Sequence, residues 1–423
     1  MTRLASLIEP GTESDVPRAG TRHTWTFAAR FRRHAFGWRS QPAIARVREA
    51  VSEIRVVARH DTLLAAEGAV LLLERLSPAL EHVDSSSGAM GSAVNQAIDA
   101  LVEIIATAPA DPRTRDRWLE RLWEAYQADQ IPYIETLGDH WGEICGSPAV
   151  AAGWADRLIG VCRLAFDPDP NLRGYFHGTT VCLSALLAAG RHQEILDLLA
   201  ISPRTIWSYR QYGVKALAAM RRPADAVRYA EEGRGLNDSP IAIARACEDV
   251  LLAAGERDEA YRRYGLLANR AGTHAAWFRA VRKKYPEKTP AQILAGLVAL
   301  TPGEEGKWFA AAKDARLFDA AVAIANRSPC SPQTLTRAAR DFGEANPTFA
   351  LEAGVTALRW LIQGHGYDIT SLDVRNAYAF TMRAAARAGR ADEVRDLLRR
   401  MLAEGGAGAL FVLDTLGSDL GLA

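Results

Sequence analysis

Arg173, Tyr175 and His177 crowd the short stretch NLRGYFHGTT, residues 171–180, with Asp167 and Asp169 just upstream. Guanidinium and phenol groups donate to phosphates and carboxylates, and an imidazole beside acids handles protons near neutral pH. Two readings compete here: a binding or catalytic pocket at a loop-to-helix junction, or a polar network that ties two parts of the fold together. No GxSxG, Ser–Lys or Cys–His nucleophile phrase occurs in the chain. We assign no catalytic residue and no cofactor, and expect a protein that is not an enzyme. A ligand or enzyme site around Arg173–His177 stands as one alternative.

The second cluster is the segment Val16–Arg48. It holds eight arginines (Arg18, Arg22, Arg30, Arg32, Arg33, Arg39, Arg46 and Arg48) and no acid, interleaved with Trp25, Phe27, Phe31, Phe36 and Trp38. Arginine neutralises phosphates and aromatic faces stack on unpaired bases, so Arg30, Arg32, Arg33 and Trp38 are candidate nucleic-acid contacts. The competing reading is a cap whose aromatics are buried on the first helices. The near-helical spacing of Phe27, Phe31 and Trp38 favours the cap.

Other phrases read structurally. Arg279, Arg282, Lys283, Lys284 and Lys288 gather at a helix end, where cations complement the exposed carbonyls. Asp84–Ser87 before Gly88-x-x-Gly91 lacks the lysine of a phosphate loop and is expected to N-cap a helix. His140 and Glu143 lack a second histidine on the same face, so no metal site is assigned. Cys145, Cys162, Cys182, Cys247 and Cys330 are scattered singly, which excludes a zinc ribbon or disulfide framework and fits a reducing cytoplasm. A net charge of +1 supplies no global field for nucleic acid or membrane. No signal-peptide core or membrane-spanning run is read, so the expected location is cytoplasmic with no membrane partner.

The elements that must carry these residues are helical. Ala, Leu, Arg and Glu are abundant, and no period-2 strand run stands out. Helices are expected over Gln41–Arg59, Thr62–Leu80, Ala89–Thr107, Asp116–Gln127, Ile131–Cys145 and Ala149–Phe166. A phrase then recurs: LLAAGRHQEILDLL at Leu186–Leu199, LLAAGERDEAYRRY at Leu251–Tyr264 and AARAGRADEVRDLL at Ala385–Leu398. Weaker copies lie at Leu217–Ala230 and Ala311–Ile324. Aligning Gly190, Met220, Gly255, Ala315 and Gly389 gives a period of about 30–37 residues, one helix pair each. The glycines are expected to end one helix in the left-handed conformation, with acids opening the next.

These phrases resemble tetratricopeptide-like helix-turn-helix repeats over roughly residues 175–405. FAARFRRHAFGWRSQPAI, GDHWGEIC, NLRGYFHGT and TPGEEGKWFAAAKDA resemble a bacterial family of all-helical proteins with no assigned activity. That resemblance therefore implies no catalytic residues. The expected fold is an all-α solenoid of tetratricopeptide-like helical hairpins with an N-terminal helical block. A flexible arm is expected at residues 1–24, the block at 25–166, the repeats at 172–405 and a C-terminal cap at 406–423. The double-proline stretch Asp167–Asn171 is expected to separate block from repeats. The expected function is a scaffold holding a protein partner on the concave face of the repeats. Nucleic-acid binding through Val16–Arg48 is the second alternative.

Overall fold

In a computed structural model of the chain, the described residues are 23–422 apart from 168, 170, 172, 233, 234, 236 and 237. The expected arm up to residue 22, with Arg18 and Arg22, lies outside them. Among the described residues every regular element is helical and none is a strand. The chain divides into two compact units, residues 1–220 and 221–423. This division differs from the expected break at 167–171. That stretch lies inside the first unit, where the helices before and after it pack on each other.

The first unit opens with a 3-10 turn, Thr26–Ala29, followed by α1 (Ser40–Ala58), α2 (Thr62–Leu80), α3 (Ala89–Thr107) and α4 (Pro112–Ala128). A 3-10 turn (Glu135–His140), α5 (Trp141–Ile144), α6 (Pro148–Ala165), α7 (Thr179–Ala188), α8 (His192–Ala200) and α9 (Trp207–Ala219) complete it. Ile44, Val47, Val51 and Ile54 form the buried stripe of α1, which packs on both α2 and α3. Asp61, Asp111 and Ser147 cap α2, α4 and α6 by accepting from backbone N–H groups three residues on. Gly88, at φ 70°, is the residue that precedes α3 and has no side chain to cap it; of the Asp84–Ser87 run, Ser87 Oγ accepts from Ala89 N at 3.4 Å. Trp123, Tyr126, Trp141 and Trp154 make an aromatic core where α4, α5 and α6 meet. The expected helix over Ile131–Cys145 is instead two short turns. Gly138 lies against the Tyr126 ring and Gly142 against Ser184 and Ala188, approaches too close for any Cβ.

The second unit runs through α10 (Pro223–Glu232), α11 (Pro240–Ala253), α12 (Arg257–Ala260), α13 (Leu266–Ala268), α14 (His274–Lys284), α15 (Pro290–Leu300) and α16 (Phe309–Asp314). It continues with α17 (Phe318–Ala325), α18 (Pro332–Phe342), α19 (Pro347–Ile362), α20 (Ser371–Arg387), α21 (Ala391–Glu404) and α22 (Ala409–Leu420). Neighbours in sequence pack as neighbours in space, for example α18 on α19 and α19 on α20. Next-but-one helices such as α17 and α19, or α19 and α21, also touch. That pattern is the stacking of an all-α helical solenoid.

The recurring phrase is a helix-ending turn. Gly190, Gly255 and Gly389 have φ of 74°, 82° and 68°. The next residue donates back five positions: Arg191 N to Leu186 O (3.0 Å), Glu256 N to Leu251 O (2.8 Å) and Arg390 N to Ala385 O (2.8 Å). In the weaker copies the left-handed residue is Arg221 (φ 58°) or Arg316 (φ 60°), one place beyond the expected Met220 and Ala315. Leu317 N then donates to Ala312 O at 2.9 Å, as in the glycine copies. Arginine sits in a conformation that favours glycine, which hid the true register. A second device follows the turn. Arg191 grips Glu194 (2.6 and 2.7 Å) and Arg390 grips Glu393 (2.8 and 2.6 Å) through two parallel hydrogen bonds, while Arg222 donates to Asp225 at 2.7 Å. Each ties the turn to the first coil of the following helix.

Candidate functional sites

The basic–aromatic segment is largely consumed by the fold. Trp25, Phe27 and Phe31 are buried, and the Trp25 ring lies on Gly68 of α2 where a Cβ would collide. Glu53 of α1 accepts from Thr26 N (2.7 Å) and Phe27 N (3.2 Å). Arg30 pairs with Glu49 at 3.1 Å and Arg33 stands 3.8 Å from Glu81. Arg32 is exposed, and Trp38 is 71% exposed. The geometry of these residues is that of a cap on α1 and α2.

The junction residues form part of a cleft within the first unit. It measures about 480 Å³ and is lined by Glu135, Thr136, Asp139, Tyr175, His177, Thr180, Arg204, Ile206, Ser208 and Tyr209. Tyr175 and His177 are brought together, with the phenol oxygen 3.4 Å from Nδ1. Arg173 does not line the cleft; its Nε donates to the Asp167 carbonyl at 3.3 Å. Arg204, unremarkable in sequence, supplies the cleft's guanidinium. It lies over the Tyr175 ring at 5.6 Å and donates to Gly174 O at 3.4 Å. The His177 ring stacks on Tyr126 at 4.3 Å, and its Nε2 is buried without a hydrogen-bond partner. Asp139 is held by the Tyr212 hydroxyl at 2.8 Å and Gln211 Nε2 at 3.4 Å. Burial, with Asp139 beside it, pushes the Tyr212 hydroxyl well above its ordinary pKa and keeps it a donor.

A second recess lies in the second unit. Val322 from α17, Leu351 and Val355 from α19, and Val394, Leu397 and Met401 from α21 line an apolar groove of about 550 Å³. Asn326, Glu352, Thr356, Arg359, Arg390 and Glu393 complete its lining. Arg359 is held by neutral groups: Nη2 donates to Asn326 Oδ1 at 2.7 Å and the guanidinium lies over Trp360 at 4.8 Å. Its Nε is buried with no hydrogen-bond partner, and burial lowers its pKa. No carboxylate pairs with it among the described residues.

The remaining candidates are structural. Lys284 pairs with Glu248 at 2.5 Å and Lys288 with Asp258 at 2.6 Å, so two cations of the second basic cluster are neutralised. His140 lies 3.4 Å from Asp99 and 3.3 Å from Glu143. No group of three or more His, Cys, Asp or Glu among the described residues is arranged to hold a metal. All five cysteines are buried, and burial raises the thiols of Cys145 and Cys330 to about 12 and that of Cys247 to about 11. Among the described residues no helix is long and apolar enough to cross a membrane. Sequence reasoning missed Arg204, Arg359 and the whole groove. No family model, curated protein or solved structure matches the chain, so the likenesses drawn above rest on the quoted phrases alone.

Proposed function

We propose that the protein is a cytoplasmic, non-enzymatic adaptor that binds a protein segment in the groove formed by α17, α19 and α21. The observation that carries this reading is an apolar floor built from three stacked helices beside a half-buried arginine with no carboxylate partner. An unpaired buried cation is costly, and an incoming carboxylate offsets that cost. Apolar anchors on a helical segment fit the row of Val322, Val355 and Met401, and flexible methionine adapts to their shape. The matching segment is therefore amphipathic and carries an Asp or Glu beside its apolar face. The bacterial helical family resembled by the sequence implies no activity that competes with this reading.

Selection of a random peptide library on the full-length chain tests it. The expected winners share apolar residues at helical spacing and one acid, and lose binding to Val355→Asp and Arg359→Glu proteins. Winners indifferent to both substitutions, or none at all, refute the reading. The nucleic-acid alternative keeps exposed arginines, Arg32 and Arg33 among them, but of the aromatics Trp25, Phe27 and Phe31 spend their stacking faces inside the fold and Trp38 stays exposed.

A further inference from the structure

The cleft of the first unit has a charge arrangement that the adaptor reading does not use. Arg204 stands on one wall, beside the Tyr175 ring and hydroxyl. Glu135 and Asp139 stand among the other lining residues. Opposite charges lining one small cleft would ordinarily close on each other. Here they do not: no ion pair joins Arg204 to either acid among the described residues, and the nearest partners of Arg204 are a carbonyl and an aromatic face. Asp139 is instead fixed from behind by Tyr212 and Gln211. A carboxylate pinned by two donors on a helix keeps its place whether or not the cleft is filled, which is the condition for preorganised recognition.

Apolar surface completes the lining. Ile206 and the rings of Tyr175 and Tyr209 flank the charged groups, and Tyr209 is buried while Tyr175 is 65% exposed. The Tyr175 hydroxyl and His177 Nδ1 meet at 3.4 Å, a long bond that leaves the hydroxyl with capacity for a further polar partner. The volume of about 480 Å³ falls within the range of small-molecule sites.

We propose that this cleft binds a small zwitterion with an apolar side chain, an α-amino acid or a short peptide. Its carboxylate faces Arg204 and Tyr175, its ammonium faces Glu135 and Asp139, and its side chain lies against Ile206 and Tyr209. Arginine offers the carboxylate a planar fork of donors, and the two acids give the ammonium a charged partner. A ligand with only one of the two charges leaves the cleft's other charge unmatched. The site therefore discriminates against it by the loss of a charge-assisted contact.

Isothermal titration of the full-length chain with L-leucine, L-phenylalanine and glycyl-L-leucine tests the proposal. N-acetyl-L-leucine, which keeps only the carboxylate, and L-leucinamide, which keeps only the ammonium, are the controls. At least one zwitterion is expected to saturate, and each control to bind about tenfold more weakly or worse. Glycyl-L-leucine binding better than both amino acids identifies the ligand as a peptide end; the reverse identifies a free amino acid. Arg204→Met and Glu135→Gln should each weaken the zwitterion about tenfold at unchanged melting temperature. Both positions are partly or fully exposed, so either variant serves if the other fails to fold. No saturation by any of the three zwitterions overturns the proposal. So does a control that binds as well as its parent, or unchanged affinity in both variants.

Discussion

Replacing Lys284 by Met should destabilise the protein more than a surface ion pair would allow, because its partner Glu248 is fully buried. Glu248 sits on α11 with no exposed surface and accepts from three donors: Lys284 Nζ at 2.5 Å, Tyr285 Oη at 2.7 Å and Asn269 Nδ2 at 2.7 Å. Methionine keeps the length of the lysine stem and removes the ammonium. The carboxylate is then left with two neutral donors and no countercharge. Breaking a buried pair typically costs about 3–5 kcal/mol. Lys284 is 32% exposed and the two neutral donors remain, so about 2–3 kcal/mol is the working figure. For a folded unit of this size that corresponds to a fall in melting temperature of roughly 4–12 °C. Glu248→Met strips the acceptor from the Tyr285 hydroxyl, which costs about 1–3 kcal/mol. The double variant Glu248→Met/Lys284→Met removes both charges together, so its loss should be smaller than the sum of the two single losses. Scanning calorimetry of the four proteins measures this coupling. A shift under about 2 °C for Lys284→Met, or strict additivity in the double variant, would refute the claim that the pair acts as a buried unit.

Further outcomes are expected elsewhere. Gly255→Val should lower stability by about 1 kcal/mol or more at φ 82°, although nothing within 4 Å obstructs the new Cβ. Arg316→Gly, at φ 60°, should leave stability unchanged or raise it by up to about 1 kcal/mol, both read by melting temperature. Arg115→Met removes the guanidinium that donates to Ile105 O (2.6 Å), Ala108 O (2.7 Å) and Ile144 O (3.2 Å), and should cost about 2–4 kcal/mol in urea unfolding. Burial raises the Glu67 carboxyl, but hydrogen bonds from Trp118 and Arg121 outweigh it and hold the group below the ordinary 4.5. Its stabilising contribution is thus present above that value and lost as pH falls through the depressed one. The stability gap between wild type and Glu67→Gln should accordingly narrow on acidification. If the N-terminal segment binds nucleic acid, affinity must fall steeply with salt and vanish when Arg30, Arg32 and Arg33 become Glu; absence of binding at low salt removes that alternative.

What was legible in the sequence is what a single helix must satisfy by itself. Thr62–Leu80 and Ala89–Thr107 have the bounds read from their apolar spacing, and Gly190, Gly255 and Gly389 adopt the left-handed turn their phrase required. Local rules misled where a side chain broke the local preference. Arg221 and Arg316 occupy glycine's conformation and moved the apparent register by one. The sites are illegible for a different reason. Glu248 lies in ARACEDVLL, where an acid reads as solvated, and its partners come 21, 36 and 37 positions later. Arg204 reaches the cleft from a loop 29 residues beyond Tyr175, and the groove draws its lining from α17, α19 and α21, which are far apart in sequence. In a stacked array the same apolar positions must serve both to pack the helices and to line the groove. Val355 or Leu397 therefore carries no mark that separates a binding residue from a packing one. The mark lies in the charge left unmatched once the helices are stacked. Arg359 beside neutral groups, and Arg204 apart from Glu135 and Asp139, become visible only once the helices are in place.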